Sequence, residues 1–207
     1  MASLRSGLLS VLQNNKIWAN SKKVDLTSFQ DRSKGQEPKI LWFGCADSRV
    51  SPEIITQLGF GQLFVNRNVA NQFDPEDTNC MAVLEFAVQN LKVEDIVVCG
   101  HTGCAGIENF TNDKLPENVK KWIKPIQSIY KEHAEEFEGI KDSSAFSGLL
   151  ANLNVKEQVK KLAETQVVKD AWAVPQKLKI HGWMYHLPTG LLEDLKVSIS
   201  NPNKTST

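Results

Sequence analysis

Asp95-Ile96-Val97-Val98-Cys99-Gly100 runs straight into His101-Thr102-Gly103-Cys104. The first six residues are a short, β-branched apolar run bounded by Asp and Gly, which reads as a buried strand. Upstream, Lys39-Ile40-Leu41-Trp42-Phe43-Gly44 has the same character and follows Pro38. Ser51-Pro52-Glu53 then offers a cap and a first-turn proline for a helix. Gly61 to Asn66 reads as another strand. Asp77 to Leu91 places Met81, Leu84, Val88 and Leu91 at helical spacing. Downstream, helical patterns cover about Pro116 to Glu138 and Ser147 to Ala171. A strand over Lys177 to Leu187, a turn at Thr189-Gly190 and a strand over Leu191 to Ile199 complete the reading. Strands alternating with helices predict an α/β fold, a central and mostly parallel β-sheet flanked by helices. In such sheets the ligand site lies beyond the carboxyl ends of the strands.

Two clusters sit at those ends: Cys45-Ala46-Asp47-Ser48-Arg49 after the strand at 39–44, and His101-Thr102-Gly103-Cys104 after the strand at 95–100. His101 and Cys104 are three apart, so one turn can aim both at one ion, and Cys45 supplies a third ligand from a distant stretch. Cysteine binds a metal as thiolate and histidine as neutral imidazole. Three protein ligands leave a fourth position open, the pattern of a catalytic rather than a structural zinc site. Cys80, on the helix at 77–91, and Cys99, inside the apolar strand, do not fit as a fourth ligand. Spacing alone leaves the competing reading in place: a buried cysteine also behaves as a small hydrophobe.

Composition narrows the class. The chain has 207 residues, enough for one domain, and 41% of them are hydrophobic. Lys+Arg and Asp+Glu both number 24, for a formal net charge of zero. That balance argues against a nucleic-acid partner, which would need a clustered basic face. No apolar run reaches the roughly 18 residues of a membrane span. Near-zero charge weakens colloidal repulsion and favours self-association. Four cysteines without a secretory leader point to a reducing compartment, with the cytoplasm as the expected location. Met1 to Val24 holds no acidic residue, several serines and Arg5, Lys16, Lys22 and Lys23, the composition of a mitochondrial transit segment. Against this, Leu8, Leu9, Leu12, Ile17 and Trp18 suit an amphipathic helix belonging to the fold.

The motifs together resemble the β-class carbonic anhydrases, in their plant and fungal branches. C-x-D-S-R after one strand and H-x-x-C after another are both complete. The likeness continues through Gly35-Gln36-Glu37-Pro38, Arg67-Asn68-Val69-Ala70-Asn71, Leu84-Glu85-Phe86-Ala87-Val88 and His181-Gly182-Trp183-Met184-Tyr185, from about Lys34 to Leu195. The resemblance implies a single domain over 1–207 with an N-terminal helical arm (1–33) that grips a partner, and dimers or tetramers built as dimers of dimers. It implies a lyase that reversibly hydrates carbon dioxide to bicarbonate and a proton by zinc-bound hydroxide. One Zn²⁺ per chain would be held by Cys45, His101 and Cys104. Two thiolates in that set predict a weaker metal acid than three imidazoles give, and activity that rises toward alkaline pH. Asp47 would pair with Arg49 in the open form and orient the attacking water, or take the fourth zinc position in a closed form. Gln36 would hydrogen-bond substrate across the subunit interface. Phe64 and Val69 would line an apolar pocket suited to uncharged carbon dioxide.

Two departures bear on rate. Where the family has Gly-Gly after the second cysteine, this chain has Ala105-Gly106. A positive φ at Ala105 would be strained, and its methyl would narrow the site. Phe86 stands where the family usually has Tyr. His133 reads as solvated in a charged helix, and His181 and His186 as structural. A rival reading is a zinc-binding relative of little activity that acts as a bicarbonate-binding or interaction module. Another is a redox protein using Cys45 and Cys104, which lacks the C-x-x-C spacing such chemistry favours.

Overall fold

The computed structural model describes residues 8–21, 29–30 and 33–202. The chain divides into two compact units, Met1–Gln36 and Glu37–Thr207. In the first, helix α1 (Leu8–Ser21) forms, the Trp18 and Phe29 rings meet edge to face at 5.7 Å, and Leu12 and Ile17 are exposed. Of the stretch with two competing expectations, residues 1–7 and 22–24 lie outside the described residues, as do the side chains of Leu8 and Leu9.

The second unit is built on one sheet. Strands β1 (Ile40–Cys45), β2 (Leu63–Asn68), β3 (Asp95–His101), β4 (Lys179–His186), β5 (Leu191–Asp194) and β6 (Ile199–Ser200) lie in the order β2-β1-β3-β4-β5, with β6 also on β4. The first four are parallel, and β5 and β6 run antiparallel to β4. Between them come α2 (Pro52–Thr56), α3 (Thr78–Glu85) with a π-helical turn at Phe86–Asn90, α4 (Ala105–Glu108), α5 (Glu117–Glu132), α6 (Ser143–Glu164) and α7 (Gln166–Ala173).

The apolar strand runs are continuous because both sheet faces are covered. Leu41, Phe43, Ile96, Val98 and Ile180 pack against Leu84, Val88, Val155, Val159, Leu162 and Val168 from the helices. Trp42, Val97 and Cys99 point the other way, toward Ile55, Trp183 and Leu192. Glycine sets how closely α6 approaches the sheet. A Cβ on Gly182 would lie 2.5 Å from Val197 Cγ2 and 3.0 Å from Val155 Cγ1, and one on Gly100 would lie 2.7 Å from Val155 Cγ2. Val155 therefore seats on two glycines of β3 and β4.

Several boundaries differ from the sequence reading, among them the start of α6, at Ser143 rather than about Ser147, and the end of α5, at Glu132 rather than about Glu138. The second strand lies two residues later, at Leu63–Asn68. The long helical pattern breaks at Thr165, which is extended (ψ 147°) and caps α7 by accepting a hydrogen bond from Val168 N. The stretch Leu191 to Ile199 forms two short strands rather than one. Lys196 adopts a left-handed φ of 57°, and Asp194 Oδ1 accepts from Lys196 N at 2.9 Å, an Asx turn that interrupts the ladder.

Candidate metal centre

Parallel pairing of β1 with β3 fixes the site. Gly44 pairs with Cys99, so Cys45 and His101 end neighbouring strands at the same edge. Beyond His101, Thr102 N donates to Tyr185 O at 3.0 Å, and the chain turns so that Cys104 becomes the N-cap of α4. Among the described residues, Cys45, His101 and Cys104 are the group that brings three metal-ligating atoms together, all within 4.8 Å of one another and all on buried residues. The two sulfurs are 3.9 Å apart, and no cysteine is in a disulfide.

Each ligand atom is oriented from behind. His101 Nδ1 lies 2.9 Å from Thr102 O, so that nitrogen carries the proton and the Nε2 lone pair faces the sulfurs. Nε2 is buried and has no hydrogen-bond partner in the protein, an omission that costs about 1–3 kcal/mol if nothing binds there. Cys45 Sγ accepts from Asp47 N at 3.4 Å. Cys104 is anchored by its carbonyl, which accepts from Ile107 N and Glu108 N at 2.9 Å each. The hydrogen bond from the Cys104 thiol holds Cys45 well below an ordinary thiol. The same bond, with burial, pushes Cys104 up. One proton is in effect shared by two sulfurs, and a cation between them would displace it. Burial opposes charge on His101, but the neighbouring Cys45 sulfur outweighs it and raises the imidazole. An orphaned imidazole nitrogen beside two paired sulfurs fits a metal ion.

Asp47 and Arg49 stand over this triangle. The Arg49 guanidinium donates Nε to Asp47 Oδ1 at 2.9 Å and Nη2 to Oδ2 at 2.6 Å, while Arg49 N also donates to Oδ1 at 2.9 Å. Arg49 Nη2 continues to Gly103 O at 3.0 Å, tying the two clusters together. These bonds hold the Asp47 carboxyl far below the usual carboxylate range. Its Oδ2 lies 3.8 Å from His101 Nε2.

The model of the family described as carbonic anhydrase matches residues 40–192, and these contain the whole triangle. The chain belongs to the β-carbonic anhydrase family. A carbonic anhydrase of Emericella nidulans is 35% identical over 188 residues, 90% of this chain and 82% of that one. One of two tetrameric β-carbonic anhydrases of Sordaria macrospora superposes with a TM-score of 0.88 at 33% identity, covering 92% of this chain and 98% of that chain. The Coccomyxa β-carbonic anhydrase in complex with acetazolamide gives 0.89 at 33% identity, over 94% and 89% of the two chains.

The remaining residues singled out from the sequence are distributed as follows. In this β-carbonic anhydrase Phe64 lies on β2, half-buried, its ring stacked on exposed Phe86 at 5.8 Å. Val69 is exposed just beyond β2. Gln36 is exposed in the first unit. Ala105 opens α4 and has no positive φ, so the strain considered for it does not arise. Gly106 is the position that needs glycine, since a Cβ there would sit 2.9 Å from Val69 Cγ1 and 3.0 Å from Ala70 Cβ. Cys80 and Cys99 stand apart from the ligands; burial pushes the Cys80 thiol up to about 12 and raises Cys99 too. His181 bonds Asp95 Oδ1 at 2.9 Å and Ser198 Oγ at 2.8 Å, and His186 bonds Glu193 at 2.7 Å. His133 ends α5 half-buried and bonds Glu136 Oε1 at 2.6 Å.

Sequence reading gave no role to Arg67. Its Nε donates to Cys45 O at 2.7 Å and its Nη2 to Asp47 O, which clamps the backbone of the first cluster. The available signal was its place in the Arg67–Asn71 motif, at the end of the strand beside β1.

Proposed function

We propose that this carbonic anhydrase carries one zinc ion per chain on Cys45 Sγ, His101 Nε2 and Cys104 Sγ and interconverts carbon dioxide and bicarbonate there. The observation that carries the reading is the buried, unpartnered His101 Nε2 facing two sulfurs 3.9 Å apart. Soft thiolates with imidazole select zinc over hard cations such as magnesium or calcium. Bound there, zinc supplies Lewis acidity that lowers the pKa of a water ligand, and two thiolates temper it, so turnover rises toward alkaline pH.

The chain's own groups do the rest. Asp47 is ionised throughout the working range, because Arg49 holds its carboxyl so low. Its Oδ2 accepts a hydrogen bond from the attacking water and orients a lone pair toward carbon dioxide. Arg49 keeps both carboxylate oxygens occupied and so keeps Asp47 from filling the fourth metal position, as it would in a closed form. Phe64, Val69 and Ala105 give substrate an apolar wall, which suits a molecule without charge. Gln36 hydrogen-bonds substrate in the assembled enzyme. That assembly is a homodimer or a tetramer of two dimers, in keeping with the tetrameric Sordaria relatives. The whole chain serves as one catalytic domain and works in the cytoplasm.

The test is stopped-flow carbon dioxide hydration on protein of assayed zinc content, scanned from neutral to alkaline pH. Zinc-dependent turnover that rises with pH is the expected result. One zinc per chain with no turnover at any pH would leave the metal site standing and hand the function to bicarbonate binding.

A further inference from the structure

Val69 follows directly on β2 and stands between the two halves of the metal centre. On one side, the preceding Asn68 pairs with Cys45, and its carbonyl accepts from Ala46 N at 2.8 Å. On the other side lies Gly106, two residues past Cys104. A Cβ on Gly106 would sit 2.9 Å from Val69 Cγ1. The rest of the Val69 side chain is open, 38% exposed. An apolar group left uncovered at the rim of a buried polar cluster is placed to meet an uncharged substrate.

This placement is not a default of the chain. Ala70 (φ 60°) and Asn71 (φ 46°) are consecutive left-handed residues, and neither is glycine. Such a turn persists only where its surroundings impose it. From inside the fold it is held at the Ala70 carbonyl, which accepts Gln72 Nε2 at 2.9 Å and Asn154 Nδ2 at 3.0 Å. From α5 it is held one residue earlier: Trp122 Nε1 donates to Val69 O at 3.0 Å. The Trp122 ring packs against both large hydrophobic clusters of the unit, one of which contains Cys45, Ala70 and Cys104. Its N–H is therefore a donor at a fixed point. Valine is stiff at χ1, so fixing the Val69 peptide also fixes where its methyl groups point.

We infer that Trp122 is a positioning residue for substrate: through the Val69 carbonyl its indole N–H sets the apolar wall against which carbon dioxide is held, from 53 positions away along the chain. This rests on the reading of the site and its apolar wall given above.

Steady-state carbon dioxide hydration by the zinc-loaded enzyme tests it, with KM and kcat read separately. Trp122→Phe keeps a ring and removes the donor. It should retain its zinc, keep kcat and raise KM about 10-fold, the lower end of what one methylene is worth in an apolar pocket. Trp122→Gln removes the ring but keeps an N–H the same number of bonds from Cβ. It should melt earlier than Trp122→Phe and yet hold KM closer to that of the parent; a merely structural tryptophan gives the reverse order. Val69→Ala should raise KM by itself, and adding Trp122→Phe to it should raise KM no further, because both act through one side chain. KM unmoved in Trp122→Phe, KM raised more by Trp122→Gln than by Trp122→Phe, or additive effects in the double variant overturns the positioning role alone. Absence of zinc-dependent turnover in the parent overturns the catalytic reading and the role together.

Discussion

At the scale of single residues, the site separates binding from turnover. Cys45 and His101 face the same point, so Cys45→Ser and His101→Ala are each expected to lose metal and activity together, read by metal analysis alongside hydration rate. The Asp47 carboxylate accepts from the Arg49 guanidinium and backbone N–H, not from the triangle. Asp47→Ala should therefore retain its metal and lose about 10²–10⁴-fold in turnover, the usual range for a positioned proton-handling group. Equal loss of metal in that variant would show that Asp47 serves as a ligand instead. The convergence of Cys45, His101 and Cys104 and the Asp47–Arg49 pair were legible, because strand ends, thiol chemistry and local spacing all point to them. Arg67 was not. An arginine at a strand end looks solvated, and only the pairing of β2 with β1 brings it onto the carbonyls of Cys45 and Asp47.

At the scale of elements, caps and close contacts carry the sharpest expectations. Asp77 caps α3, accepting from Asn79 N at 3.4 Å and Cys80 N at 3.1 Å. Asp77→Ala should cost about 1 kcal/mol in denaturant melts. The interaction with Cys80 leads the causes that lower the Asp77 carboxyl in the folded chain. A carboxyl lowered on folding stabilises above its unfolded pKa of about 3.9, and that contribution fades as pH drops through the lower folded value. The Asp77→Ala penalty should accordingly shrink in acid. Gly182→Ala drives a methyl into Val197 and Val155 and should destabilise by about 1–3 kcal/mol. Strand and helix types were legible from apolar runs and periodicity. The break at Lys196 was not, because a left-handed lysine carries no compositional mark and its turn depends on the preceding Asp194 side chain.

At the scale of the whole molecule, the metal should be a stabilising ligand. An ion that binds only the folded chain adds about 2.7 kcal/mol when present at 100 times its dissociation constant. Chelation should then lower Tm by several degrees, with about 2–4 °C per kcal/mol for a chain of this size. Re-addition of zinc should restore it. Because thiol and imidazolium protons must leave as the ion enters, affinity should fall as pH is lowered, which competition titration against a chelator at two pH values would measure. The order of the sheet was legible only as a parallel α/β pattern. Which strand lies beside which depends on long-range packing that no local signal encodes.

The adjacency of β1 and β3 also has a consequence in time. Cys45 and Cys104 are 59 positions apart along the chain, and their strands pair directly, with β2 on the outer side of β1. Parallel pairing across such a separation carries a large loop-closure entropy and forms slowly. During synthesis the first cysteine emerges long before its counterpart, and no fragment ending ahead of β3 contains the triangle. An ion that needs all three side chains would therefore act as a one-way clock: it could be taken up only after the nascent chain has laid down its middle strand, never before.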